Sequence, residues 1–358
     1  MQVKHLLHLA AAQAACAQSL TEVLSSQNST LSTLIGLLQA QPDLVTALSG
    51  LKGITILAPS NDAFTTLLSD PTVASMVESD PTIVPALLSY HVINGTFYAS
   101  DLTAGPGPVF VPTLLADKNY STVEGGQRVE VRSDGMGVSI FTGGGAESKV
   151  TKADLNFTSG TIHIIDKVLT IPANLTSVLM SSPDLSSLTG AVTKANLAQT
   201  LSDVPQLTIF APNNAAFEAI SDVAAGLTVE QLTAVLGYHA IAGAVVYSTD
   251  ITTTTMNVKT VEGSEVMVRV EDGNVMVNDA KVIMPNILIK NGVVHVIDGV
   301  LIPEDLSGSP TPSAGPSTTT SGTPMSPTSS VVTGAAAAKG QFAGVAVVLG
   351  GLSIILNL

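Results

Sequence analysis

The chain is expected to fold as an α+β protein built from two tandem copies of one domain, and three repeated strings predict it. Ile54-Thr-Ile-Leu-Ala-Pro-Ser-Asn-Asp-Ala-Phe64 returns as Leu207-Thr-Ile-Phe-Ala-Pro-Asn-Asn-Ala-Ala-Phe217, with seven of eleven positions identical. Gly160-Thr-Ile-His-Ile-Ile-Asp-Lys-Val-Leu169 returns as Gly292-Val-Val-His-Val-Ile-Asp-Gly-Val-Leu301. Between them lies a Tyr-His step, Tyr90-His91 and then Tyr238-His239. The landmarks recur 153, 148 and 132 residues apart, a domain-sized period rather than the about 20–50 residues of a solenoid. Copy one carries 72 residues between its two histidines against 56 in copy two, and the surplus is expected in the Gly- and Pro-rich stretches 105–122 and 143–149.

Each copy begins with helices. Leu20, Val23, Leu24, Leu31, Leu34, Ile35 and Leu38 keep the three-and-four spacing of an apolar helix face, and Val178, Leu179, Leu185, Leu188 and Val192 echo it. The Thr-Ile-x-Ala-Pro string follows as a short buried strand stopped by proline. Ser60 or Asn61, and Asn213 or Asn214, can cap the next helix, and Phe64 and Phe217 are expected to drop from it into the core. The later part is β. Val266, Val268 and Val270 alternate with Met267, Arg269 and Glu271, and Asp272-Gly273 is a two-residue hairpin signal matched by Asp134-Gly135 in copy one. The stretch 292–302 reads as a central, doubly buried strand.

These strings resemble the signature boxes of fasciclin domains over about residues 19–303. The resemblance implies a β-wedge or sandwich with packed N-terminal helices, and extracellular adhesion or matrix roles, often on a lipid-anchored, glycosylated stalk. Leu57 stands where an aromatic is common, while Phe210 keeps it. The resemblance also associates integrin-type adhesion with the Tyr-His step and the acidic, aliphatic segment before the last box. The matching positions are Tyr90, His91, Asp154 and Leu155, then Tyr238, His239, Asn286 and Ile287, with Asn286 replacing the acid. Because Leu87, Leu88, Val235 and Leu236 flank the Tyr-His steps, both a core and a contact-surface reading stand.

The ends place the chain outside the cell. Residues 1–17, with Lys4, an apolar run and Ala15-Cys16-Ala17, read as a secretory signal peptide. Cys16 is the one cysteine and leaves with it, so the mature chain is expected to hold no disulfide. The expected domains span 18–172 and 173–303. A Ser/Thr/Pro-rich stalk follows over 304–334, of the kind that carries O-glycans. Residues 335–358 then read as a glycosylphosphatidylinositol signal with Gly334 as acceptor, because the 15 apolar residues 342–356 would span only about 22 Å of a hydrocarbon core of about 30 Å. Five N-glycosylation acceptors, Asn28, Asn94, Asn119, Asn156 and Asn174, all precede residue 180. Stalk and anchor together suggest a fungus or another walled eukaryote.

Without its two ends the chain keeps 12 basic and 28 acidic residues, a net charge of −16, which excludes a nucleic-acid partner. Catalysis is not expected. His163 and Asp166, like His295 and Asp298, are three apart on a strand and face opposite sides, and no zinc, nucleophile-elbow or phosphate-loop motif occurs. His91, His163, His239 and His295 are read as buried imidazoles bonded to backbone, with no metal and no cofactor. The leading function is adhesion at the cell surface or in the wall or matrix, through multivalent binding of proteins or glycans, homophilic contact included. A small apolar ligand or glycan held between helices and sheet is the alternative, and a hydrolase a distant third. The short junction, 172–176, predicts touching domains with a glycan on Asn174 at the hinge.

Overall fold

The computed structural model describes residues 18–102, 107–133 and 137–307, with the backbone alone at 71, 72, 74, 305 and 307. The expected signal peptide, residues 308–334 of the expected stalk with Gly334, the expected anchor signal 335–358 and the Asp134-Gly135 turn lie outside the described residues. The first copy runs α1 (Leu20–Ser26), α2 (Asn28–Gln39), α3 (Pro42–Gly50), β1 (Ile54–Pro59), α4 (Asn61–Leu68), α5 (Pro71–Ser79), α6 (Ile83–Tyr90), β2 (Val92–Asn94), α7 (Ala99–Leu102), β3 (Val109–Pro112), β4 (Arg128–Ser133), β5 (Val138–Phe141), β6 (Glu147–Phe157) and β7 (Gly160–Ile165). The second runs α8 (Leu175–Ser181), α9 (Ser186–Lys194), α10 (Ala198–Asp203), β8 (Leu207–Pro212), α11 (Asn214–Ala219), α12 (Ser221–Gly226), α13 (Val229–Tyr238), β9 (Ala240–Ala242), β10 (Met256–Lys259), β11 (Glu265–Glu271), β12 (Asn274–Val277), β13 (Ala280–Ile289) and β14 (Gly292–Ile297).

Each copy forms one seven-stranded sheet, ordered β2-β1-β7-β6-β5-β4-β3 and β9-β8-β14-β13-β12-β11-β10. The repeated strings form its parallel pairs, β1 with β7 and β8 with β14, while the other neighbours run antiparallel. The sheet curls until its ends approach. Ile93 bridges Thr113 in copy one, and Val261 N–H donates to the Ala240 carbonyl in copy two.

The paired central strands are buried on both faces, which explains their unbroken apolar sequence. Ile54, Ile56, Ala58, Ile162 and Ile164 join one cluster with Leu20, Leu24, Leu31, Leu34 and Phe64 of the helices. Leu57 and Ile165 join a second cluster with Tyr90, Val111, Val129, Val131 and Ile140 inside the curl. The glycine that opens each closing string is dictated by this pairing. A Cβ on Gly160 would lie 1.8 Å from the Ile54 carbonyl oxygen, and one on Gly292 would lie 1.7 Å from that of Leu207. The Asp272-Gly273 hairpin forms as expected between β11 and β12, with positive φ at both residues (50° and 77°).

Ser60 and Asn213 are the helix caps. Their side chains accept the Ala63 and Ala216 N–H groups. Asn61 and Asn214 do something the sequence did not reveal. The Asn61 amide donates to Ser29 O and accepts from Thr33 N–H, and the Asn214 amide donates to Pro183 O and accepts from Ser187 N–H. Each therefore ties the helix after the central strand to the helices before it. Phe64 is buried, but Phe217 is only half-buried, because α12, which follows it, buries none of its residues.

The surplus length of copy one lies where the domains meet. Ten of its residues lengthen the β3–β4 connection, 113–127 against 260–264, and three more lengthen the turn 142–146 against 278–279. Within the first stretch, Thr122 N–H donates to Lys290 O, and the fully buried Gln127 amide donates to Ile289 O at 3.1 Å. Phe110 stacks on Tyr247 with ring centroids 4.2 Å apart, and the Arg128 guanidinium sits 5.7 Å from the same ring. Leu288 and Val293 pack into this cluster. The junction is tied as well, since Lys290 N–H donates to Ala173 O and the Asn174 side chain caps α8 through Ser177 N–H.

Candidate functional site

The repeated polar residues of each copy hold loops to the central strands. Thr55 is fully buried, donating to Gly95 O and accepting from Phe97 N–H, and Thr208 does the same with Ala244 O and Val246 N–H. Asp166 accepts from Lys149 N–H and Asp298 from Lys281 N–H, both at 2.7 Å. These carboxylates join neighbouring strands and do not meet the histidines three residues before them.

All four histidines among the described residues are buried, and both nitrogens of each are engaged by backbone groups. Nε2 of His91 accepts Leu169 N–H at 2.9 Å, so its Nδ1–H donates to Leu87 O at 2.7 Å. His239 repeats this with Leu301 and Val235. The pair in the closing strings takes the opposite tautomer. Nδ1 of His163 accepts Asp154 N–H and its Nε2–H donates to Phe97 O, while His295 uses Asn286 and Val246. Burial pushes the pKa of His91, His239 and His295 down to about 4, which keeps them neutral and able to accept at one nitrogen. Among the described residues no group of three or more His, Cys, Asp or Glu could hold a metal ion.

Tyr90 and Tyr238 are interior as well. Their hydroxyls donate to Arg128 O and Glu265 O, each at 3.0 Å, fastening the ends of α6 and α13 to the fourth strand of their copies. The contact-surface reading of Tyr90, His91, Tyr238 and His239 is therefore corrected, because apolar flanks on both sides of each step take these side chains inward. Asp154 is exposed at φ 60°, at a register shift of β6, and its carboxylate accepts Ala99 N–H. Leu155 packs partly against the helical core. Asn286 repeats the conformation at φ 65°, and its side-chain oxygen accepts Ser248 N–H at 2.9 Å. The bond to the backbone needs an acceptor oxygen and not a charge, which acid and amide both supply, and the Asn286 amide also donates to Ser248 Oγ at 2.7 Å.

Two surface features distinguish the copies. All five sequon asparagines are exposed, and Asn94 ends β2 opposite Ile54. Its register equivalent, Ala242 opposite Leu207, is also exposed and begins no sequon. Val261, whose N–H donates to Ala240 O at the start of β9, is 48% exposed, whereas Leu114, which makes the same backbone bond in copy one, packs against the core. The second feature is a cavity of about 310 Å³ in copy one, walled by α4, α5, α6 and residues 168–171. Sequence reading placed a pocket between helices and sheet only in general terms. A signal existed in the spacing, since Tyr90 follows Phe64 by 26 residues and Tyr238 follows Phe217 by 21.

The fold and its repeated pins define a tandem fasciclin-domain protein. A family model of the fasciclin domain matches residues 29–172 and 183–303, and the chain belongs to that family. It is similar to a fasciclin-like arabinogalactan protein of Arthroderma benhamiae, 31% identical over 288 residues that cover 80% of this chain and 67% of that protein. It is 28% identical to the fasciclin-like arabinogalactan protein CTB11 of Cercospora beticola, over 81% of this chain and 78% of that one. Human periostin is 27% identical over 275 residues, 72% of this chain and 29% of periostin.

Proposed function

We propose that this protein is a cell-surface glycoprotein that mediates adhesion, held outside the plasma membrane or in the wall by a lipid anchor at Gly334. The observation that carries the reading is the unequal cover of two like domains. Asn94 would place a glycan at the end of β2, while the equivalent end of β9 presents Ala242 bare and Val261 is exposed beside the first residue of that strand, Ala240. Domain 2 would make the contacts, with surface or matrix proteins, glycans or a second copy of the chain as partner. Apolar side chains left exposed beside an uncapped strand end are the kind of surface that associates. Many copies at one surface raise effective concentration, so weak single contacts suffice.

Names borne by relatives, arabinogalactan protein and periostin, agree with a surface or matrix setting. The engagement of both nitrogens of every described histidine by backbone favours a binding role over catalysis. Deletion of the gene should abolish cell aggregation, and the two domains on their stalk and anchor should restore it. A phosphatidylinositol-specific phospholipase should release the protein and the adhesion together. Aggregation unchanged on deletion would refute the reading.

A further inference from the structure

We infer that the cavity of domain 1 is a binding site for a neutral aliphatic chain, such as a long-chain alcohol, ester or isoprenoid. Its volume, about 310 Å³, falls at the small end of ligand pockets. Aliphatic side chains dominate the wall: Leu67 of α4, Val73 of α5, Val84 and Leu87 of α6, and Val168 and Ile171 beyond β7. Phe64 is the one aromatic hydrocarbon ring in it. The His91 imidazole borders the cavity, but both its nitrogens are already bonded to backbone.

The mouth is defined by exposure. Leu68, Met76 and Val77 line the cavity and are 61%, 51% and 39% exposed, an apolar opening to solvent. Charge around it argues against an anionic head group. Residues 53–117 hold no Lys or Arg, whereas Asp62, Asp70, Glu78 and Asp80 lie on or between the wall helices. Lys167 precedes the wall residue Val168, but its side chain is exposed and outside the lining. A carboxylate or phosphate entering here would find no cation at the wall and would meet acidic neighbours. Left empty, the wall would forfeit the dispersion contacts that close packing supplies.

Domain 2 lacks the means to build the site. Its connection from Phe217 to Tyr238 is five residues shorter, and the six-residue α12 replaces the nine-residue α5 that forms part of the wall. One ligand per chain is therefore expected.

The test uses the secreted full chain and the neutral fluorophore N-phenyl-1-naphthylamine. Expected are saturable binding of one probe per chain, displacement by dodecanol, and much weaker displacement by dodecanoate. Val84→Trp, which fills the cavity, and Met76→Trp, which obstructs its exposed mouth without touching the core, should each weaken binding by about tenfold or more. Circular dichroism establishes which variants are folded, and Met76→Trp decides if Val84→Trp is not. Failure to saturate, two equal sites, dodecanoate competing as well as dodecanol, or full binding by folded Met76→Trp would each overturn the assignment.

Discussion

Domains 1 and 2 are alike wherever a side chain fastens the fold to itself and differ wherever it meets something else. Thr55 and Thr208, Asn61 and Asn214, His91 and His239, and His163 and His295 make the same bonds to corresponding backbone groups. The 113–127 connection, the α5 segment and four of the five sequons belong to domain 1, while the fifth, at Asn174, caps the first helix of domain 2. The comparison separates the residues that make the domain from those that distinguish one copy's contacts. A tyrosine or histidine repeated in both copies belongs to the first group, and burial of the Tyr-His steps shows it.

The sharpest test of this likeness is the glycine pair. Gly160→Ala and Gly292→Ala place a Cβ on a carbonyl oxygen of the central strand, and each should cost more than about 4 kcal/mol, enough to unfold its own domain. Urea titration followed by circular dichroism reads this, and a tolerated alanine in either copy would break the equivalence.

Acid comes next. For His91, His239 and His295 the folded pKa, about 4, lies below the unfolded value near 6.5, so the unfolded chain binds more protons between these limits. Their contribution is fully present above pH 6.5 and is lost as pH falls toward 4, by up to about 3 kcal/mol for each histidine. Stability measured at pH 7 and at pH 4.5 should drop accordingly. Replacing His91 by Gln should flatten that dependence while lowering stability at pH 7 by about 2 kcal/mol, the order expected for an unpaired buried group.

The interface gives a smaller effect of a different kind. The double variant Gln127→Ala, Tyr247→Ala removes the buried amide bond and the aromatic stack, about 1–3 kcal/mol of coupling. Scanning calorimetry should then resolve two transitions where the native chain gives one. The smallest effect is local. Asn174→Ala removes the α8 cap, and with it a sequon, for about 1 kcal/mol.

Sequence patterns revealed the parts of this fold that depend on neighbours in the chain. The helical stripe of Leu20 to Leu38, the proline-stopped strand and the Asp272-Gly273 hairpin all formed where periodicity and turn chemistry put them. Long-range pairing was less legible. Ser60 and Asn61 are equally good caps on paper, and only the approach of α2 decides that Asn61 is the tether. Likewise Gln127 is an ordinary polar loop residue until Ile289 of the other domain arrives to accept its proton. The surplus in copy one was visible as length, but its role as the interdomain contact was not, because that role is defined by residues 82 to 168 positions away.

The bare end of β9 in domain 2 is proposed as the adhesive surface, with a glycan covering its counterpart in domain 1. Ala242→Asn with Ala244→Thr creates a sequon at the position equivalent to Asn94, on an exposed residue. Cell aggregation by the full-length, anchored chain is the measurement. Loss of aggregation in this variant, at unchanged surface level and unchanged Tm, with aggregation retained when Asn94→Gln removes the domain 1 glycan, is the predicted result. Undiminished aggregation with the new glycan in place would contradict the claim.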